Sequence, residues 1–196
     1  MTRFVGLTGG IGAGKSEALA AFERLGAATL STDRVAHDLL EDDEVRAALV
    51  DRWGEQIAPQ GAVDREKVSE IVFSDRGELE WLESVTHPRV GAHVLEWRQS
   101  LSPEVGVAVV EVPLLFEAAM EDAFDATVAV VADDELRDAR LRERGQGGLA
   151  EREERQLDQA EKARRADHVI RNDASLDELE SEVRKVIDEL TAKEPG

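Results

Sequence analysis

Hydrophobic residues follow two patterns that alternate along much of the chain. Short, almost continuous apolar runs predict strands that are buried on both faces of a sheet. Longer stretches carry apolar residues every three or four positions, which is the spacing of one face of a helix. The short runs are residues 3–8, 27–30, 105–112, 126–131 and 168–170. This alternation predicts an α/β fold with a parallel sheet of about five strands flanked by helices.

The stretch from about residue 34 to residue 103 shows helical spacing and no convincing strand. Breaks are predicted at residues 59–61 and at His87-Pro88, where the histidine is expected to be half-buried. We interpret this stretch as a helical insertion between two strands of the main sheet, a position that commonly supplies an acceptor pocket. The predicted helices are residues 35–40, 45–53, 65–73 and 79–101.

The last third of the chain is predicted to be mostly helical. A helix over about 133–144 is followed by a glycine-rich, hinge-like break at 145–148 and a charged, helical stretch at 149–165. An amphipathic helix over 176–190 closes the chain, with Ser175 as its cap and Glu178 at the capping-box position.

Composition narrows the classes of function. Of 196 residues, 42% are hydrophobic but only 4% are aromatic, so the core is expected to be aliphatic. A formal net charge of −19 argues against nonspecific nucleic-acid binding and against an anionic membrane surface. The excess acid fits either solubility or adaptation to a salty interior, and the sequence does not separate the two. The absence of cysteine excludes disulfides and thiolate catalysis, and without a signal peptide or apolar span we expect a cytoplasmic protein.

A phosphate-binding loop is the strongest chemical motif of the chain. Gly9, Gly14, Lys15 and Ser16 fit the G-x-x-x-x-G-K-[ST] pattern, between a predicted strand and a predicted helix. Glycines let the backbone N–H groups curl around phosphate oxygens, and the helix adds its positive end. We expect Lys15 to reach the outer phosphates and the Ser16 hydroxyl to bind Mg²⁺. A chance match is the alternative, and the flanking strand and helix disfavour it.

Asp33 is a candidate catalytic carboxylate at the end of the second predicted strand. Its carboxylate can accept a proton from an attacking hydroxyl, as in kinases, or hold Mg²⁺ through water. Equally, it can cap a helix that starts at Arg34. Position alone favours neither role, and both can hold together.

A row of arginines at Arg137, Arg140 and Arg144 shares one face of a predicted helix. The three guanidinium groups can clamp phosphates during transfer. In so acidic a chain, a solvated face paired with neighbouring acids is the more common arrangement. Other charged residues leave similar alternatives, either active-site groups or plain surface charge: Glu111, Glu117, Lys162, Arg164 and Arg165.

Taken together, these segments resemble the dephospho-coenzyme A kinase family over nearly the whole chain. Residues 7–16, Leu-Thr-Gly-Gly-Ile-Gly-Ala-Gly-Lys-Ser, match the opening motif of the family, which is much narrower than a general phosphate loop. The matching segments that follow are residues 61–65, Val72-Phe73, His87-Pro88, residues 112–117, Arg140, Arg144, Gln159, Lys162, residues 166–170 and Asn172.

This resemblance implies ATP-dependent phosphorylation of the ribose 3′-hydroxyl of dephospho-coenzyme A, with ATP and Mg²⁺ as cofactors. The implied catalytic residues are Asp33 as base, Lys15, Arg140 as a lid arginine, and Thr8. The implied nucleotide-binding residues are Gly9, Gly10, Gly12, Ala13, Gly14, Lys15, Ser16 (also the metal ligand), Glu17, Arg144, and Asn172 near the adenine. The implied acceptor-binding residues are Asp33, Arg65, His87, Pro113 and Leu114.

The implied architecture has three parts. Residues 1–33 and 104–196 are expected to form the P-loop nucleotide-binding core, residues 34–103 the helical acceptor-binding insertion, and residues 137–165 a helical lid. We expect a monomer that acts on a small molecule and binds neither nucleic acid nor membrane. The chain departs from the usual family residues at Ser31, Glu17, Arg137 and Ala174, where Asp, Thr, Gln and Gly are usual.

Two rival functions stay open at this point. One is a kinase of another small acceptor, such as a nucleoside monophosphate, which the ordered matches in the insertion disfavour. The other is a nucleotide-dependent switch or regulatory ATPase without an acceptor, in which the insertion would bind a partner.

Overall fold

A computed structural model of the chain describes residues 1–143 and 156–192. The chain divides into two compact units, one formed by Met1–Ser31 with Leu101–Gly196 and the other by Thr32–Ser100. We call them the sheet unit and the helical unit. The five strands are β1 (Arg3–Gly9), β2 (Ala28–Ser31), β3 (Val107–Glu111), β4 (Ala126–Val131) and β5 (His168–Arg171). The α-helices of the described residues are α1 (Lys15–Arg24), α2 (Thr32–Leu39), α3 (Asp43–Trp53), α4 (Arg65–Ser74), α5 (Arg76–Ser100), α6 (Asp134–Glu143), α7 (Gln159–Arg165) and α8 (Leu176–Thr191).

The sheet is parallel throughout, in the order β2-β3-β1-β4-β5. The central strand β1 pairs with β3 on one side, where Leu7 faces Glu111, and with β4 on the other, where Leu7 faces Val128. Parallel strands end at one common edge, which is where ligands bind in such sheets. The predicted α/β fold with five parallel strands is therefore confirmed.

The core of the sheet unit is largely aliphatic, as the composition predicts. It joins residues of the central strands to α1 and α8, with the aromatic Phe22 fully buried within it. The capping box at Ser175 and Glu178 is confirmed, and it begins α8 with its apolar face on that core. Within the described residues, no helix combines the length and the apolar character needed to cross a membrane.

The helical unit has a hydrophobic core of its own. Buried residues of α3, α4 and the intervening segment form this core, with Leu49 and Ile57 fully buried. Trp53 and Trp81 pack against it, edge to face, with 5.1 Å between their ring centroids. The prediction that the insertion is helical is confirmed, because no strand occurs among its residues, all of which the structure describes.

The predicted break at His87-Pro88 is wrong, because α5 runs without interruption through Pro88. Proline removes one backbone hydrogen bond from a helix, but 12 residues follow Pro88 before α5 ends, enough to continue it. Nearby carbonyls also receive side-chain donors, from Thr86 Oγ1 to Leu82 and from Arg89 to Val85, each at 2.9 Å. His87 is exposed rather than half-buried.

The predicted charged helix over 149–165 is confirmed at 159–165 and wrong at 156–158, where the chain is not helical. Helix α7 begins only at Gln159, because Asp158 caps it by accepting the Glu161 N–H at 2.6 Å. Leu157, before the cap, donates its N–H to Glu117 Oε1 instead of joining a helix. The glycine-rich break at 145–148 and the first part of this stretch lie outside the described residues.

The carboxylate of Glu78 accepts three hydrogen bonds, and removing its charge tests how much they stabilise the helical unit. Glu78 accepts the Trp53 indole N–H at 2.8 Å and two guanidinium donors of Arg52 at 2.9 and 3.0 Å. These hydrogen bonds, from Arg52 first and then from Trp53, lower the pKa of Glu78 below its ordinary value of 4.5. The depressed pKa means that Glu78 stabilises the fold above pH 4.5, and that this contribution disappears as the pH falls through its folded pKa.

We therefore expect Glu78→Gln to lower the melting temperature at pH 7 by a few degrees. The difference from the wild type should shrink as thermal scans move to acid pH. Glu80→Gln is the matched control, since Glu80 is 62% exposed in its ion pair with Arg76. A Glu78→Gln deficit that is the same at pH 7 and in acid would contradict this account.

Candidate active site

The loop that joins β1 to α1 has the backbone conformation expected of a phosphate-binding loop. Gly12 and Gly14 adopt positive φ angles of 76° and 91°, a region that residues with a side chain rarely adopt. A Cβ atom on Gly14 would also fall 2.0 Å from the side-chain nitrogen of Asn172. Gly14 precedes α1, and within the described residues no side chain caps that helix. The positive end of α1 therefore borders the loop, where it attracts an anion.

Side chains hold three consecutive carbonyl groups of this loop. The donor–acceptor pairs are Arg137 Nε to Ile11 O at 2.9 Å, Arg140 Nη1 to Gly12 O at 3.5 Å, and Asn172 Nδ2 to Ala13 O at 2.9 Å. In a trans peptide the carbonyl and the N–H point in opposite directions. Fixing the carbonyls toward the protein therefore orients the N–H groups of Gly12 and Gly14 the other way, as phosphate binding requires, while the Ala13 N–H donates to Gly10 O at 3.2 Å.

Lys15 bridges the loop from the other end. Its ammonium donates to the carbonyls of Gly9 and Gly10, both at 3.1 Å. This places a positive charge at the centre of the loop, where phosphate oxygens would lie. Ser16 and Glu17 lie exposed in the first turn of α1, so their side chains are accessible to a ligand.

The interpretation of the arginine row as a solvated face is wrong for the two members that the structure describes. Arg137 is 17% exposed, and besides its bond to the loop it pairs with Asp134 at 2.8 Å. Arg140 donates to the carbonyl of Asn172 at 2.9 Å as well as to the loop. Helix α6 therefore presents guanidinium groups to the phosphate loop. Arg144 lies outside the described residues.

Asn172 follows β5 and is only 5% exposed. Its side-chain amide donates a hydrogen bond to the Ala13 carbonyl. Its own backbone N–H donates to Val131 O at 2.9 Å, which continues the pairing of β5 with β4. The family resemblance places this residue near the adenine, which stays a prediction. What the geometry adds is a contact that couples the end of the sheet to the loop.

Lys162 is a residue whose position the sequence left ambiguous. It is fully buried, and its ammonium contacts Pro113 O at 2.6 Å, Glu117 Oε1 at 3.0 Å and Thr8 Oγ1 at 3.3 Å. Burial lowers its pKa, while the hydrogen bond and the charge of Glu117 act to raise it. The surface interpretation is therefore wrong for Lys162, and Glu117 is only 13% exposed. The one sequence signal was that Lys162 matches the lid pattern of the family.

Thr8 is also completely buried, one residue before the loop begins its turn. Its hydroxyl donates to Pro113 O at 3.1 Å and accepts from Lys162. Leu114, beside Pro113, is half-buried. The structure thus brings Thr8, Pro113 and Lys162 together at the carboxyl edge of the sheet.

A cavity of about 420 Å³ opens beside the loop. It is lined by Gly10 and Ile11 of the loop, by Asp134 and Arg137 of α6, and by residues 156–160. Gln159 fixes that last segment, since its amide bonds both the N–H and the carbonyl of Ala132 at 3.1 and 2.8 Å. The cavity is therefore bordered by anchored elements next to the N–H groups of the loop.

Three predicted site residues belong to the helical unit. Asp33 is exposed in the first turn of α2, two residues after β2 ends. Its interpretation as the cap of a helix starting at Arg34 is wrong, because α2 already begins at Thr32. Arg65 begins α4, half-exposed and 3.7 Å from Glu41, and His87 is exposed on α5.

The sequence model of the family described as dephospho-CoA kinase matches residues 3–178. The chain belongs to the dephospho-CoA kinase family. The dephospho-CoA kinase of Moorella thermoacetica is 38% identical over 95% of this chain and 91% of its own length. Among solved structures, TT1252 of Thermus thermophilus is 34% identical with a TM-score of 0.81, covering 97% of this chain and 99% of that one. Dephospho-CoA kinase from Campylobacter jejuni is 28% identical with a TM-score of 0.69, covering 96% and 97%.

Membership of the dephospho-CoA kinase family confirms the enzyme class that the motifs indicate. The chain is an ATP-dependent kinase of coenzyme A biosynthesis, built on a P-loop fold. At position 137, where the resemblance led us to expect glutamine, Arg137 bonds the loop carbonyl of Ile11. That departure therefore keeps a donor on the loop.

The carbonyl anchor at Asn172 gives a test of loop geometry. Asn172→Ala leaves the Ala13 carbonyl without its side-chain donor at a buried position, at a cost of about 1–3 kcal/mol. We expect ADP affinity to fall roughly tenfold, since binding must then also order the loop. Titration calorimetry with ADP measures this, and Arg171→Ala, at an exposed neighbour, is the control. Wild-type affinity in Asn172→Ala would show that the loop holds its shape without this contact.

Proposed function

We propose that this chain transfers the γ-phosphoryl group of ATP to the ribose 3′-hydroxyl of dephospho-coenzyme A, giving coenzyme A and ADP. The observation that carries the proposal is a phosphate loop with its carbonyls anchored, in a chain whose residues 3–178 match one family of kinases. In the transfer, the 3′-oxygen forms a bond to the γ-phosphorus as the bond to the ADP oxygen breaks. The proton of the hydroxyl passes to a base.

The loop and its neighbours supply the charge stabilisation. The N–H groups of Gly12 and Gly14, on peptides whose carbonyls are anchored, are proposed to bind the β- and γ-phosphates. The ammonium of Lys15 lies against the carbonyls of Gly9 and Gly10 in the same loop. Arg140 adds a second positive charge from α6, already held at the edge of the loop. These positive charges are already in place when the reaction begins, so their side chains need not move as negative charge shifts to the leaving oxygen.

Asp33 is the proposed base. It is exposed, and it follows the strand that ends beside Glu111 at the carboxyl edge of the sheet. It lies in the first turn of α2 rather than at the cap position of that helix. Arg65, His87, Pro113 and Leu114 are the proposed contacts of dephospho-coenzyme A, and the exposed side chains of Arg65 and His87 are accessible to it.

Magnesium is the proposed metal, and the donor set fits an ion that arrives with the nucleotide. Among the described residues no group of three or more His, Cys, Asp or Glu is placed to hold a metal. Mg²⁺ in kinases keeps several waters and uses substrate phosphates, so one exposed hydroxyl at Ser16 is a sufficient protein ligand. When bound, the ion would neutralise phosphate charge.

The predicted lid over residues 137–165 stays part of the proposal. Its two described ends, α6 and α7, contact the loop or the strand before it through Arg137, Arg140 and Lys162. We propose that the lid closes over the nucleotide, which would exclude water and limit hydrolysis of ATP.

A coupled ADP-release assay tests the proposed acceptor. We expect turnover with dephospho-coenzyme A and little with AMP, CMP or no acceptor, because the acceptor completes the reacting geometry. Turnover with AMP or CMP would favour a nucleoside monophosphate kinase. Equal rates with and without dephospho-coenzyme A would favour a regulatory ATPase and overturn the proposal.

The role of Asp33 is tested separately. Asp33→Asn should lower kcat by roughly a hundredfold or more, since the amide cannot accept the proton. Asp38→Asn, at an exposed position of the same helix, is the matched control and should leave kcat unchanged. A near-normal rate in Asp33→Asn would remove Asp33 from the chemistry.

A further inference from the structure

A buried ion pair lies directly behind the phosphate loop and takes no part in the chemistry described above. Lys162 on α7 has no exposed surface, and the side chain of its partner Glu117 is 13% exposed. Desolvating an ammonium and a carboxylate is costly, and apolar residues of similar size often fill such a place at least as well. A charged pair here therefore calls for a reason beyond packing.

The geometry around the ammonium suggests that reason. A lysine has three N–H donors, and each has an oxygen within reach: Pro113 O at 2.6 Å, Glu117 Oε1 at 3.0 Å and Thr8 Oγ1 at 3.3 Å. Thr8 also donates to Pro113 O at 3.1 Å, which closes a triangle. Thr8 immediately precedes the phosphate loop, and Pro113 starts the Pro113-Leu114 segment proposed to contact the acceptor.

The regular backbone pairing of these two segments ends just before this point. Its last link is the bond from Val112 N to Leu7 O at 2.8 Å, one residue earlier on each side. Beyond that bond β1 continues to Gly9 beside β4, while the chain after β3 no longer pairs with it. The Lys162 ammonium is placed where the regular ladder has ended and fixes the next residue of both segments.

Glu117 fixes the lysine in turn. Its Oε1 accepts both the ammonium and the backbone N–H of Leu157, two residues before α7 begins. The pair has no net charge, so it adds little to the field on the phosphates. Its effect is on position.

We propose that Lys162, held by Glu117, is a positioning residue that sets the phosphate loop in register with the Pro113-Leu114 segment. This inference rests on the proposed function, because the second segment is assigned to the acceptor there. Misplacing two reacting groups by about 1 Å can cost on the order of a hundredfold in rate. Loss of Lys162 should therefore lower kcat more than it raises the KM for ATP.

The deciding variant is the double substitution Lys162→Met with Glu117→Gln. Lys162→Met alone leaves the buried carboxylate of Glu117 without its cation and is expected to destabilise the fold. The double variant removes both charges, while the amide oxygen introduced by Glu117→Gln can still accept the N–H of Leu157. We expect the double variant to recover most of the melting temperature that Lys162→Met loses, yet to keep kcat at least about tenfold below the wild type. The KM for ATP should stay within about threefold of the wild-type value.

Lys185→Met is the matched control, since Lys185 pairs with Glu182 on an exposed helix face and is 65% exposed. It should alter neither kcat nor KM. Recovery of wild-type kcat in the double variant would overturn the proposal. It would mean that Lys162 serves only to neutralise the charge of Glu117. A loss confined to the KM for ATP would overturn it as well.

A second measurement does not depend on the acceptor. In ¹⁵N-labelled protein, the double variant should shift the amide resonances of both Gly9 and Leu114, whereas Lys185→Met should shift neither. Unchanged resonances would overturn the positioning role even if the wild type proved inactive with dephospho-coenzyme A. A wild type that is inactive with this acceptor, with both resonances shifted in the double variant, would instead overturn the proposed acceptor alone.

Discussion

The structure of the sheet unit depends on one constraint: a loop rich in glycine must hold its N–H groups outward without a ligand. A flexible loop would lose conformational entropy when it orders around phosphate, which weakens binding. Here side-chain donors of the protein itself hold consecutive carbonyls in place, through Arg137, Arg140 and Asn172. Much of the ordering is therefore present in the folded protein.

The donors come from segments far along the chain, and this is a consequence of the parallel sheet. Strands β4 and β5 end at the same edge as β1. Helix α6, which follows β4, and Asn172, which follows β5, therefore lie beside the loop. The same edge receives the segment after β3, with Pro113 and Glu117. The fold therefore gathers its functional groups by strand ends rather than by sequence proximity.

Buried charge is used sparingly in a chain whose formal net charge is −19. Ion pairs among the described residues lie mostly on the surface, where they contribute little to stability. Lys162 and Glu117 are different because they are withdrawn from water beside the loop. Because the charges of Lys162 and Glu117 cancel, the pair adds no net charge to the interior of this strongly acidic molecule. The cations that lie at the loop itself are Lys15 and Arg140.

Much of the fold was accessible from local patterns. All five strands were predicted within about two residues, because strands buried on both faces are apolar throughout and stand out from their surroundings. The errors have physical causes. Pro88 was expected to end a helix, yet the 12 residues after it continue α5. The start of α7 was placed too early because high charge and helical propensity do not reveal that Leu157 donates to Glu117, a contact 40 residues away along the chain.

For the site, the sequence by itself determined the phosphate loop, since its glycines, Lys15 and Ser16 are adjacent and their spacing carries the chemistry. It also determined the family, through ordered motifs that span the chain. Only the tertiary structure decided which charges contact the loop or the strand before it. Arg137, Arg140 and Lys162 have the same local appearance as surface residues, and a neighbouring carboxylate is never far in so acidic a chain. Burial and partners distinguish them, and both arise when distant strand ends meet at one edge of the sheet.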